Sequence, residues 1–201
     1  MKKVIADVGA HYDLLIEENN DPVRDPVVLQ EYMDLWDGRL FLEMLELNPS
    51  KSVLEIGVGT GRLAVRTAPC CRHLTGIDMS AKTIERAQEN LREYPNISLI
   101  CNDFLTHSFS EMFDVIYSSL TMMHFPDKAL VIGKMSSLLN DDGILCISID
   151  KNQSEWIDMG NRKVRIYPDT PEEIVTIAGQ AGLKTKRVLE IENAYLLAFA
   201  K

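Results

Sequence analysis

From Leu47 onward, short runs of β-branched and apolar residues alternate with stretches whose apolar positions recur every three or four residues. The first pattern predicts strands and the second amphipathic helices. Strands are expected near Ser52 to Ile56, His73 to Ile77, Ile97 to Cys101, Val115 to Ser118 and Ile144 to Ile149. Each is apolar at successive positions, as in a parallel sheet covered on both faces. Strands alternating with helices in this way predict βαβ units and an α/β fold.

The helices carry their own boundary signals. Ser80 is placed to cap a helix with Ile84, Ala87 and Leu91 on one face, and Pro95 marks its exit. Asp127 is placed to cap the next, whose face of Val131, Met135, Leu138 and Leu139 leads into an Asn140 to Gly143 turn. Thr170-Pro171-Glu172-Glu173 is a capping box with proline at the first helical position, followed by Ile174, Ile177, Ala178 and Ala181 and stopped by Gly182. Two alternating runs then follow, Thr185 to Ile191 and Ala194 to Ala200, joined by Glu192-Asn193. They predict an antiparallel pair at a sheet edge. Before Leu47, Asp25-Pro26 predicts a helix start and Gly38 a break. The expected organisation is one domain over 1–201, with a helical cap segment at 1–47 and the sheet-containing core at 48–201.

Composition narrows the functional classes. A formal net charge of −9 disfavours a phosphate backbone as partner, so no nucleic acid is expected. The longest apolar runs are too short to span a bilayer, and a soluble, cytoplasmic protein with no membrane partner is expected. Cys70, Cys71, Cys101 and Cys146 form no C-x-x-C pair and are read as reduced thiols, and the four histidines show no ligand spacing, so no metal site is expected.

The chemistry begins at Glu55-Ile56-Gly57-Val58-Gly59-Thr60-Gly61, a glycine-rich turn between a predicted strand and a helical run from Arg62 to Ala68. Glycines at alternate positions let the backbone bend sharply and approach a ligand. A dinucleotide fingerprint needs a small residue where this chain has Arg62. Glu55 would repel a pyrophosphate but suits a cationic group such as an amino-acid ammonium. Asp78, at the end of the next strand, is placed to accept two ribose hydroxyls. Asp103 ends the third strand and could accept from an adenine amino group, with Phe104 or Met79 over the ring.

With these residues in place, the chain resembles the class I S-adenosylmethionine-dependent methyltransferases of the small, generic methyltransferase-domain type. Glu55 with Gly57, Gly59 and Gly61, then Asp78, then Asp103, then Phe113 to Ser119, and finally Leu138 to Ile147 match that pattern in order. The resemblance implies S-adenosylmethionine as cofactor, with Glu55, Gly57, Gly59, Gly61, Asp78, Met79, Asp103, Phe104 and Ser118 around it. It also implies a Rossmann-like, seven-stranded, mostly parallel sheet with the last strand antiparallel and helices on both faces.

His124, on the loop leaving the fourth strand, is the candidate catalytic residue, since histidine titrates near neutrality. The alternative is a histidine packed at a helix entrance. Ser118-Ser119 lacks the Asn/Asp-Pro-Pro-aromatic pattern of enzymes that methylate exocyclic amino groups. Tyr12, Trp36 and Trp156 are candidates for substrate walls or core, and Arg162 to Arg165 for an anion site or a solvated edge. The resemblance implies that 1–47 and 150–169 close over the acceptor, which is expected to be a small molecule. A nicotinamide-dependent oxidoreductase and a non-catalytic S-adenosylmethionine-binding protein use the same elements, and the oligomeric state is left open.

Overall fold

The computed structural model describes residues 2–201. Along the chain run β1 (Lys3–Ile5), α1 (Val8–Glu17), α2 (Val27–Asp37), α3 (Arg39–Met44), β2 (Ser52–Ile56), α4 (Ala64–Thr67), β3 (His73–Asp78), α5 (Ala81–Leu91), β4 (Ile97–Cys101), β5 (Phe113–Ser119), α6 (Lys128–Leu138), β6 (Leu139–Asp150), β7 (Trp156–Asp158), β8 (Arg162–Arg165), α7 (Pro171–Gln180), β9 (Lys184–Glu190) and β10 (Ala194–Ala200). Seven strands form one sheet in the order β4-β3-β2-β5-β6-β10-β9. The first five are mutually parallel, and β10 runs against both β6 and β9. The expected α/β fold with an antiparallel final strand is what the chain adopts.

Alternation along the strands divides the core in two. Val53 on β2, Val115 and Tyr117 on β5, and Leu196 on β10 pack with Phe41, Leu63 and Leu91 from α3, α5 and the segment before α4. Their neighbours Leu54, Ile116 and Leu197 pack on the opposite side with Ile132 and Met135 of α6 and Ala178 of α7. Successive side chains point to opposite faces of a strand, so a strand with both faces covered is apolar throughout. The sheet edges depart from that expectation. β9 is almost entirely exposed, with Lys184, Lys186 and Arg187 on it, and β4 is only partly buried. Charged edges of this kind discourage pairing with another chain.

The three expected caps form: Ser80 accepts from Thr83 N, Asp127 from Leu130 N and Thr170 from Glu173 N. The helix at Pro26 and the break at Gly38 are also present. The Asn140 to Gly143 segment does not separate helix from strand. It lies inside β6 as an irregularity, where Phe113 pairs with Leu139 and Val115 with Ile144, and Asp142 takes φ 62°.

The region before Leu47 holds more than helices. β1 pairs in parallel with β8, and β8 pairs with β7, giving a second sheet of three strands. Arg162 to Arg165 is therefore a strand, and its Arg162 is buried against Glu18 at the end of α1. α1 docks on the first turn of α5, where Asp13 accepts from Ser80 Oγ at 2.7 Å and from Lys82 N at 3.1 Å. Among the described residues no helix is long and apolar enough to cross a membrane.

Candidate functional site

The carboxyl ends of β2, β3, β4 and β5 open into one cavity of about 410 Å³. β2 contributes Glu55 and the loop through Gly57 and Gly59, β3 contributes Asp78 and Met79, and β4 contributes Asp103 and Phe104. Ser119, Thr121 and His124 come from the end of β5 and the loop after it. The N-terminal segment closes the other side with Val8, Tyr12, Pro22 and Met33. Parallel sheets place ligand sites at this edge, because the loops leaving the strands converge there.

The glycine turn is shaped by two different demands. Gly57 has φ 75°, and a Cβ on it would lie 2.2 Å from Thr121 Oγ1, so a side chain has no room between the loop and the end of β5. Gly61 has φ 97°, and its Cβ would press on Leu91 at 2.9 Å. Gly61 thus serves the packing of α5 and does not line the cavity, whereas Gly57 and Gly59 do.

Asp78 is the polar centre of this wall. Its Oδ2 accepts from Gly59 N and its Oδ1 from Ser80 N, both at 3.0 Å. Burial raises its pKa, and these backbone N–H groups oppose the rise. Glu55 is buried, and its Oε2 accepts from Tyr117 Oη at 2.6 Å. Burial pushes the Glu55 carboxyl up to about 8, against the Tyr117 hydrogen bond and the Arg62 charge. Asp103 lines the cavity while its Oδ1 accepts from Leu105 N at 2.7 Å, an Asx turn that fixes its direction. Phe104 is largely core, packed near Phe109 with Lys134 Nζ 5.1 Å from its ring centre, while Met79 is exposed at the cavity.

Ser118 falls outside the cavity. Its hydroxyl donates to Ile56 O at 3.2 Å across the β2–β5 pair. β5 extends one residue beyond the predicted end, so Ser119 reaches the opening instead. Ser119 Oγ donates to Asp37 Oδ2, and the same oxygen is ion-paired with Arg62 Nη2. Asp37 is wholly buried, and its Oδ1 and Arg62 Nη1 have no hydrogen-bond partner. Arg62 enters the sequence reading solely as an obstacle to a dinucleotide, yet its side chain lines the cavity.

His124 stands on a 3-10 turn (Met122–His124), and its Nε2 lies 2.8 Å from Tyr12 Oη, with the rings edge to face. Burial, with His11 and Lys128 adding to it, pushes the His124 pKa down to about 4. Burial likewise raises the Tyr12 hydroxyl, helped by Asp78. Both rings are therefore neutral around pH 7. This partnership of α1 with the loop after β5 left no local trace in the sequence. Trp36 packs against the core, and Trp156 sits under Lys163 Nζ at 3.9 Å. Among the described residues none from 150–169 lines the cavity.

A family model described as a methyltransferase domain matches residues 47–193. The chain belongs to the class I S-adenosylmethionine-dependent methyltransferases. Among similar methyltransferases, an uncharacterized one from Anoxybacillus flavithermus is 34% identical over 118 residues, covering 57% of this chain and 54% of that protein. A ubiquinone biosynthesis O-methyltransferase from Aromatoleum aromaticum is 27% identical, covering 82% of this chain and 85% of that one. Nodulation protein S of Sinorhizobium fredii is 27% identical over 56% of this chain. The chain spans about half the length of the first curated relatives it matches. The crystal structure of the N-methyltransferase NodS from Bradyrhizobium japonicum with S-adenosylhomocysteine superposes with TM-score 0.68, at 23% identity over 89% of each chain. A DhpI complex with S-adenosylhomocysteine gives TM-score 0.74 at 17% identity, covering 96% of this chain and 94% of that one. Both solved structures share the fold described above.

Proposed function

We propose that the chain transfers the methyl group of S-adenosylmethionine to a small-molecule acceptor. The observation that carries this reading is the wall made by Glu55, Gly57, Gly59 and Asp78. It offers a buried acid in Glu55, a half-buried one in Asp78, and glycines at the points where the loop approaches the cavity. The donor set fits an adenosyl amino acid. Asp78 suits ribose hydroxyls, Asp103 an adenine amino group, Met79 and Phe104 the ring face, and Glu55 the ammonium, whose charge favours the ionised form of a carboxyl that burial otherwise keeps protonated to about pH 8. Arg62 Nη1, buried without a hydrogen-bond partner and 3.8 Å from Asp34 Oδ1, suits the carboxylate. A pyrophosphate would meet the acid side chains of Glu55, Asp78 and Asp103 and one guanidinium already paired with Asp37 and Asp34.

The bound cofactor supplies a methyl group activated by its sulfonium, and the protein's task is alignment. Tyr12 from α1 and Thr121 and His124 from the loop after β5 are polar side chains lining the cavity, and Tyr12 and His124 are hydrogen-bonded to each other. His124, neutral above about pH 4, engages Tyr12 Oη through its Nε2, and with the Tyr12 proton resting on that nitrogen the phenolic oxygen can accept a hydrogen bond from an acceptor hydroxyl or amine. Val8, Met33, Leu120 and Phe125 line the same cavity and make its wall apolar there. A small acceptor suits a cavity closed over by the N-terminal segment. The four free cysteines suit a reducing, cytoplasmic location.

Thermal unfolding with S-adenosylhomocysteine tests the cofactor assignment. Ligand at 100 times its Kd should add about 2.7 kcal/mol of stability, while NADH should add none. Acceptor libraries with mass detection of methylated product follow. A stabilised protein that methylates no small molecule would leave a binding protein, and absence of any shift would remove the cofactor reading itself.

A further inference from the structure

Lys128 is out of place by the ordinary rules of its helix. It is the first residue of α6, where the amide dipoles disfavour a cation, and its side chain is only 5% exposed. Desolvating an ammonium is costly unless every proton finds a strong partner. Here the partners come from two distant segments. Nζ pairs with Asp169 Oδ1 at 2.8 Å and donates to Met122 O at 2.6 Å and Tyr167 O at 2.9 Å. Tyr167 N in turn donates to Met123 O at 2.7 Å. The 3-10 turn that ends in His124 is thus fastened to 167–169.

The same stretch of chain holds α1 from its other end. Arg162 grips Glu18 with both terminal nitrogens, Nη2 at 2.6 Å, and β8 pairs with β1 just ahead of α1. One continuous segment, 162–169, therefore holds Tyr12 through α1 and His124 through Lys128. Resting on the functional reading above, we infer that Lys128, with Asp169, is a positioning residue that sets the Tyr12–His124 pair against the methyl acceptor. Residues 150–169 then govern the acceptor end without lining it. The groups facing His124 are Tyr12 and His11 from α1 and Lys128 from α6.

Histidine-labelled nuclear magnetic resonance on the whole chain tests this without an acceptor. In the wild type the His124 ring should stay neutral from pH 5 to 8, with a hydrogen-bonded Nε2. In Lys128→Met, charge and fastening are both lost. Burial is the main cause of the low His124 pKa and Lys128 adds to it, so the His124 midpoint should rise from about 4, while the His73 and His107 resonances keep their wild-type positions. In Asp169→Asn Lys128 loses its counter-charge and the fastening loosens. The Nε2 hydrogen-bond signature should weaken there too. Unchanged His124 resonances in both folded variants would overturn the positioning role, and so would failure of both variants to fold, which would mark the pair as purely structural. Calorimetry with S-adenosylhomocysteine on the same samples reports the cofactor assignment separately.

Discussion

Tyr117 donates its phenolic proton to Glu55 Oε2 across 2.6 Å, joining two side chains that are both out of water. Burial holds the Glu55 carboxyl protonated up to about pH 8, whereas the unfolded chain loses that proton near 4.5. Between those values folding takes up a proton, so this group's contribution to stability falls as pH rises. Glu55→Gln keeps an acceptor for Tyr117 and loses the dependence. From pH 5 to pH 8 the variant should gain about 3 kcal/mol relative to the wild type, read by urea unfolding at the two pH values. It should also lose affinity for S-adenosylhomocysteine. An equal pH slope in both proteins would contradict a protonated Glu55.

Asp78→Ala removes the proposed ribose partner and leaves Gly59 N and Ser80 N without their acceptor. Binding of S-adenosylhomocysteine should fall by about 100-fold or more, and stability by about 1–2 kcal/mol. Asp78→Asn retains part of the backbone bonding and should separate the two effects, with stability closer to wild type but affinity still reduced. Calorimetry and thermal unfolding on both variants make the comparison.

The glycines should respond differently to alanine. At Gly57 the added methyl meets Thr121 at 2.2 Å and the backbone is left-handed, so Gly57→Ala should cost about 3 kcal/mol or more. At Gly59, φ is 56° but nothing lies within 4 Å of the added carbon. That change should cost about 1 kcal/mol and act chiefly on ligand binding. Equal destabilisation by denaturant titration would argue against the Thr121 contact.

Arg62→Met leaves Asp37 buried without its cation. A loss of about 3–5 kcal/mol is expected, as for other broken buried pairs. Adding Asp37→Asn should recover part of it, because the stranded charge is gone. Additive losses in the double variant would show that the two residues do not act as a pair.

What the sequence made legible was local or periodic. Thr170-Pro171 with Glu173, Ser80 and Asp127 announce their helices because a cap and its amide lie three residues apart. The Gly57–Asp78 wall was legible because a strand, a turn and an acid in order leave few other geometries. The β1–β8 pairing was not, since Lys3–Ile5 is three residues long and its partner lies at the far end of the chain. The run from Arg162 to Arg165 is open between an anion site and a solvated edge, and nothing local marks Lys128; only tertiary partners explain the burial of Arg162 and Lys128. The displacement from Ser118 to Ser119 is one residue, which on a strand exchanges the two faces. Tyr12 with His124, and Arg62 with Asp37, depend on how α1 and α2 lie over the sheet, which no spacing encodes.

Asp13 gives the first turn of α5 an acceptor that belongs to another helix, at Ser80 Oγ and Lys82 N. The cover over the cavity is therefore stitched to the helix that begins just after Asp78, largely by side chains. Fasteners of that kind can be re-cut one residue at a time while the sheet beneath is left alone. Such a fold can trade one acceptor for another by changing its leading segment, and keep its grip on the nucleoside throughout.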